Sequence, residues 1–404
     1  MLIDEKQYKN ILLATWLGWI FDGFDSSLYP LVANQALSEL IGKNNSNFGQ
    51  IASIILAIFL IGWALGGFIF GYLGDRIGRV KSLSFSILIY ALFTGFSGLA
   101  YSWIDLSIFR FFSGIGIGGE WALGVALLSE SVNSKKRIMS TALLATGFQL
   151  GYILALVVNF LFFPFGWRLI FFIGIIPALL VFFIRKNIKE PTVWSSIKEK
   201  NTNVLEIFKK EYSYKLWTSF LLGTTLSVGV WGCLLFWFPL WIERTLNAGQ
   251  EGKTIATLIL MSSCAVGNYF AGYLFLRFKR KPIFFMSYLT CFLIASFMYF
   301  SFHKYSPALL IFVSVLGFVE GIIPAGFAIY FPELFPTKIR STAKGFCFST
   351  SRIITVFGVL YSGYLVQKFS GNIGYAAASM SIIFLIGAII SLFIRETEKI
   401  TCLE

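Results

Sequence analysis

The sequence predicts an all-α membrane protein, with twelve transmembrane helices in two pseudo-symmetric six-helix bundles. Three observations carry that prediction. Hydrophobic residues make up 57% of the 404 and charged residues only 13%, with a mean hydropathy of +0.76, which excludes a soluble globule. Apolar runs of the length that crosses a hydrocarbon core of about 30 Å recur along the whole chain. Finally, the chain repeats itself. Gly71-Tyr-Leu-Gly-Asp-Arg-Ile-Gly-Arg-Val-Lys-Ser-Leu83 returns 201 residues later as Gly272-Tyr-Leu-Phe-Leu-Arg-Phe-Lys-Arg-Lys-Pro-Ile283, with the Gly, Tyr, Leu and both Arg at the same spacing. Glu130, Lys135 and Arg137 likewise return as Glu333, Lys338 and Arg340, offset by 203.

The predicted spans follow in order. Six runs cover 11–33, 50–72, 82–101, 104–128, 139–162 and 167–184; six more cover 215–241, 254–276, 282–302, 307–331, 341–366 and 372–394. Residues 1–184 thus form an N-terminal six-helix bundle, and 215–404 a C-terminal bundle with a short tail. The 185–214 connection mixes apolar and basic residues at helical spacing, which predicts short amphipathic helices on the membrane surface. In span 2, Gly62-x-x-x-Gly66 and Gly67-x-x-x-Gly71 clear one helix face, and span 4 carries Gly114, Gly116, Gly118, Gly119 and Gly124. Such small-residue ridges let helix backbones touch.

The net charge of +13 is a topology signal rather than a nucleic-acid footprint. With the N-terminus inside, 25 of the 33 cationic residues fall on the cytoplasmic face and six on the other. That is the positive-inside bias, and it places both termini in the cytoplasm of a multi-pass protein of the cell membrane. The five cysteines show no paired spacing, so no disulfide framework, metal site or cofactor is expected. No cleavable leader is expected either, because the first apolar run is long and acidic. One histidine and no nucleophile with a nearby base argue against an enzyme. The six-plus-six repeat with one gating signature argues for rocking halves over a channel.

These residues resemble the major facilitator superfamily. Gly71–Leu83 looks like its loop 2–3 signature, and the repeat covers the whole chain. Asp22-Gly-Phe-Asp25 resembles the D-G-x-D motif of aromatic- and organic-acid:proton symporters. Arg110-Phe-Phe-Ser-Gly-Ile-Gly-Ile-Gly-Gly-Glu120 resembles the span 4 run of metabolite:proton and sialate:proton symporters; Gly166–Gly174 and Pro332–Arg340 fit the same groups. Two departures count. Leu276 stands where the first half has Asp75, and span 5 offers only Gly147-x-x-x-Gly151 in place of the drug-antiporter Gly-x-x-x-Gly-Pro. The resemblance implies a major facilitator fold and a monomeric carrier working by alternating access. It also implies an inner gate built on Gly71, Asp75, Arg76, Gly78 and Arg79, with Glu130, Arg137, Glu333 and Arg340 as charge-relay residues.

Asp22, Asp25, Arg110, Glu120, Glu320 and Arg352 fall inside apolar spans. Each costs about 2.5–3.5 kcal/mol at a helix centre unless it is paired or faces a wet cavity. Transport between two halves needs such a cavity at the midplane. Asp22 and Asp25 share one face of span 1, so one of them suits proton loading; Glu120 is the third proton-coupling candidate. Arg110 either anchors a substrate carboxylate or neutralises Asp22 or Asp25. Gln149 and Arg352 are repeat mates, and with Glu320 they form a candidate substrate site, unless Arg352 and Glu320 simply pair. The predicted function is proton-coupled symport of a small organic anion, with the lipid bilayer and protons as the other partners. A carrier of sugars or betaine-like zwitterions is the alternative, and drug:proton antiport ranks below it.

Overall fold

The computed structural model describes residues 5–42, 48–131, 134–176, 179, 188, 190, 204–235, 237–336, 338–369 and 372–397, apart from some single side chains within them. Nearly all of them are helical. Span 1 is Glu5–Leu40, span 2 Phe48–Ile77, span 3 Arg79–Ser97 and span 4 Trp103–Ser131. Span 5 runs as Ser134–Ala145 and Gly147–Phe162, and span 6 begins with Trp167–Ile173. In the second half, span 7 starts as Lys210–Gly229 and loosens into a π-helical turn at Val230–Leu235. Span 8 is Gly249–Arg277, span 9 Arg280–Ser301 and span 10 Pro307–Leu334. Span 11 has a π-helical turn at Gly345–Ser349 before Ser351–Lys368, and span 12 is Ile373–Met380 with Ile382–Ser391.

Ten of these helices are long and apolar enough to cross a membrane by themselves. Span 1 falls short because its two aspartates lower its hydropathy, and span 6 because only its first part is described. Together they make twelve helices in two pseudo-symmetric bundles. Most of the connection expected to form amphipathic helices lies outside the described residues. Its last part, Val204–Phe208, is a 3₁₀ turn with Ile207 fully buried.

The repeat is legible contact by contact. A Cβ on Gly66 would lie 1.9 Å from the Ile115 carbonyl oxygen; on its mate Gly267 it would lie 1.9 Å from that of Phe318. Gly118 sits 2.1 Å from the Trp63 oxygen on the same measure, and its mate Gly321 sits 2.1 Å from that of Cys264. Spans 2 and 4, and spans 8 and 10, therefore pack backbone against backbone, and any side chain at these glycines would force them apart.

The two halves meet closely on the side of the midplane that carries Asp75. There a Cβ on Gly345 of span 11 would lie 2.0 Å from the Gly67 oxygen of span 2. On the other flank of this end, Gly272 of span 8 rests on Met139 and Ala142 of span 5.

Candidate functional site

Asp75 is buried where spans 2 and 11 converge. One carboxylate oxygen takes Arg79 of its own half at 2.9 Å. The other accepts the Thr342 backbone N–H at 2.7 Å and the Thr342 hydroxyl at 2.5 Å. Thr342 lies in the first turn of span 11, where N–H groups have no helical partner and the helix dipole is positive. A carboxylate from one half thus caps a helix of the other. Of the remaining signature residues, Arg79 also donates to the Gly74 oxygen, and Arg76 is exposed and donates to the Tyr72 hydroxyl. Gly71 is buried in the last turns of span 2, and Gly78 holds φ at 118°, a conformation glycine adopts without strain.

The missing Cβ of Gly78 also makes room for a group the sequence analysis missed, since a Cβ there would lie 2.3 Å from a Glu190 carboxylate oxygen. Glu190 accepts the backbone N–H groups of Arg79, Val80 and Lys81 at 2.8, 3.0 and 3.2 Å, capping span 3. The second half repeats the device: Glu396 accepts from the N–H groups of Arg280 and Lys281 and so caps span 9. Arg280, mate of Arg79, donates to the Phe275 oxygen as Arg79 does to Gly74, but Leu276 leaves it no aspartate. It takes Glu333 instead, at 2.9 Å. Arg340 donates to the Phe335 oxygen. The side chains of Glu130 and Arg137 lie outside the described residues.

Near the midplane the predicted intramembrane charges separate into two groups. Asp25 and Arg110 form a buried pair inside the first bundle. Arg110 Nη1 lies 3.0 and 3.1 Å from the two carboxylate oxygens, which also accept Thr94 at 2.6 Å and Ser113 at 2.9 Å. The guanidinium lies over Phe59, 4.5 Å from the ring centroid. Arg110 is thus engaged by Asp25 and lines no wall of the cavity described next. Glu120, on span 4, is buried as well and likewise outside that wall.

The second group surrounds a cavity between the halves. Trp19, Phe148 and Gln149 line it from the first half; Trp231, Glu320, Phe348 and Arg352 line it from the second. Gln149, Glu320 and Arg352, predicted from sequence, are therefore brought together on one wall system. Arg352 crosses to the first half, its guanidinium 3.8 Å from the centroid of the fully buried Trp63 and 4.8 Å from that of Phe348. Its Nη1 donates to the Phe348 oxygen at 3.2 Å, and its Nε has no hydrogen-bond partner among the described residues. The carboxylate whose charge acts on it is Asp22. Glu320 does not pair with Arg352; it accepts the Cys264 thiol at 2.8 Å. Gln149 accepts from Asn268 of span 8 at 3.0 Å, a hydrogen bond between the halves.

Trp63, Cys264 and Thr342 had no sequence signal, because aromatic and hydroxyl residues are common in apolar spans. Glu190 and Glu396 had one: each is a carboxylate that follows the last span of its half.

The chain matches the Major Facilitator Superfamily over residues 15–304 and 220–401. It is 31% identical to a protein of Cupriavidus pinatubonensis described as a probable 4-methylmuconolactone transporter, over 93% of this chain and 86% of that one. It is 28% identical to the cis,cis-muconate transport protein of Acinetobacter baylyi, over 98% of this chain and 96% of that one. Among solved structures, the proton:xylose symporter XylE superposes with a TM-score of 0.81, covering 98% of each chain at 19% identity, a likeness of fold. With twelve helices in two pseudo-symmetric bundles, and with the family match and the relatives above, the chain belongs to the major facilitator superfamily and is a membrane transporter, not an enzyme.

Proposed function

We propose that this protein is a symporter that carries a small organic carboxylate together with protons across the cell membrane, by alternating access. The observation that supports this reading best is Arg352: a cation on the wall of an aromatic cavity between the halves, whose Nε has no hydrogen-bond partner among the described residues. A guanidinium edge binds a carboxylate through two parallel hydrogen bonds. The descriptions of the two relatives, which name a muconolactone and muconate, agree with an acid of this class.

Proton coupling follows from Asp22. When ionised, it competes with substrate for the field of Arg352; when protonated, it leaves that field to the substrate carboxylate. Substrate and proton then bind with positive linkage, as symport requires. Asp25 has another role: four hydrogen bonds from Arg110, Thr94 and Ser113 fix its carboxylate and stiffen the first bundle. Glu120 and Glu320 are the further protonatable groups of the pathway. The Asp75–Thr342 cap seals the face that the charge bias assigns to the cytoplasm, where both termini lie. One chain contains both halves of the pathway, so the working unit is the monomer.

The test is a ligand panel read by thermal stabilisation of the purified protein: mono- and dicarboxylates, sialate, aromatic acids, sugars and betaines. Stabilisation confined to carboxylates is expected and should vanish in Arg352→Gln. Stabilisation by neutral sugars or betaines alone would replace this reading with that of a sugar or zwitterion carrier.

A further inference from the structure

The repeat is broken at one place where it need not be. Spans 9 and 10 leave a groove between them at one level that also borders span 8. Its walls are Leu274 and Phe278 of span 8, a stripe from Pro282 through Met286 to Thr290 on span 9, and Val319 and Ile322 of span 10. The i, i+4, i+8 spacing on span 9 is one helix face, about 12 Å long. That is close to the depth of one leaflet in a core of about 30 Å.

In the first half the same place is closed. The mates of Val319 and Ile322 are Gly116 and Gly119. A Cβ on Gly116 would lie 2.5 Å from the Tyr90 backbone nitrogen, and Ser86, mate of the groove residue Ser287, donates to the Gly116 oxygen at 2.6 Å. Gly116 lets the backbones of spans 3 and 4 touch and Gly119 lies against Phe70 of span 2, whereas Val319 and Ile322 put branched side chains at the corresponding positions of span 10. The groove is thus a feature of the second half and not a consequence of the fold.

Cationic residues flank it along the chain. Arg277, Lys279 and Lys281 surround the loop between spans 8 and 9, next to Phe278 and Pro282 of the groove. Arg277 and Lys279 are exposed and Lys281 half-exposed, and none of the three forms an ion pair among the described residues. The acids nearby are already engaged: Glu333 takes Arg280, and Glu396 caps the backbone of span 9. Positive charge with no ion-pair partner among the described residues, beside an apolar slot one leaflet deep, is complementary to a phosphate joined to an acyl chain.

We propose that this groove is a binding site for an anionic phospholipid, with one acyl chain between spans 8, 9 and 10 and its phosphate on Arg277, Lys279 and Lys281. Because spans 8 and 10 also supply Cys264, Glu320 and Pro324 to the central cavity, a lipid seated there braces the outer side of two cavity walls.

Native mass spectrometry tests it, on the purified protein incubated with equimolar palmitoyl-oleoyl phosphatidylglycerol and phosphatidylcholine. Retention of one phosphatidylglycerol at about tenfold or more over phosphatidylcholine is expected, since each cation near an anionic headgroup is worth about fivefold. The preference should disappear in the combined variant Arg277→Ala, Lys279→Ala, Lys281→Ala and persist in the charge-conserving set Arg277→Lys, Lys279→Arg, Lys281→Arg. Thr290→Trp, which fills the slot, should remove it with all three cations intact. Equal retention of the two lipids by the unmodified protein would overturn the proposal. So would a preference that survives either the alanine set or the filled slot.

Discussion

Gly345→Val is the sharpest perturbation of the gate, because the contact there is between backbones. A Cβ at this position would lie 2.0 Å from the Gly67 oxygen and 2.8 Å from its carbonyl carbon. Ordinary contact begins at 3.4 Å, so spans 2 and 11 must part by at least 1.4 Å. Neither atom belongs to a side chain that can swing away. The same separation stretches the 2.7 Å bond from Thr342 to Asp75, on the same two helices, beyond hydrogen-bonding reach. Overpacking of this kind costs about 1–3 kcal/mol, which converts to about a 5–150-fold shift away from the state closed at the Asp75 end. Electron–electron distance measurements between spin labels at Lys81 and Lys210, exposed residues of opposite halves, read that shift directly. The unmodified protein should show mostly the shorter separation and Gly345→Val mostly a longer one. Gly363→Val is the control, since nothing lies within 4 Å of a Cβ there. Identical distance distributions for Gly345→Val and the unmodified protein would refute the claim that this contact limits closure.

Three further outcomes separate the intramembrane charges by role. Arg352→Lys keeps the charge but loses the flat stack on Trp63 and the paired hydrogen bonds, so carboxylate affinity measured by calorimetry should fall about tenfold or more. Arg110→Gln should act on stability instead: it strands Asp25 in a buried site, a loss of about 3–5 kcal/mol visible as a lower melting temperature, and Arg110→Gln with Asp25→Asn should recover part of it. Asp22→Asn should keep substrate exchange between equal concentrations across a vesicle membrane while abolishing accumulation driven by a pH gradient; unchanged accumulation would remove Asp22 from the coupling path.

The parts of the molecule legible from sequence are those where one residue type has one physical use. A run of about 20 apolar residues has to span, and a Gly ridge has to pack, so the twelve spans and the contact between Gly66 and Ile115 were within reach. Intramembrane charges had to find partners, but the sequence did not say which. Arg110 and Arg352 are alike as letters. Only the fold shows that Thr94 and Ser113 converge with Arg110 on Asp25, leaving Arg352 at the cavity on Trp63. Trp63 was invisible for a related reason: 18% of the chain is aromatic, and its role comes from a long-range approach of span 11 to span 2. The asymmetry between Gly116 and Val319 was written in the repeat, yet its consequence, an open groove beside Val319, needs the positions of spans 9 and 10.

The central claim is that carboxylate and protons move together through the cavity at Arg352. Proteoliposomes loaded with a pH-sensitive dye and given an inward gradient of cis,cis-muconate, with no imposed pH difference, test it most directly. The account predicts acidification of the lumen that saturates with muconate concentration and is absent in Arg352→Gln vesicles. Muconate entering without any change in luminal pH would contradict it.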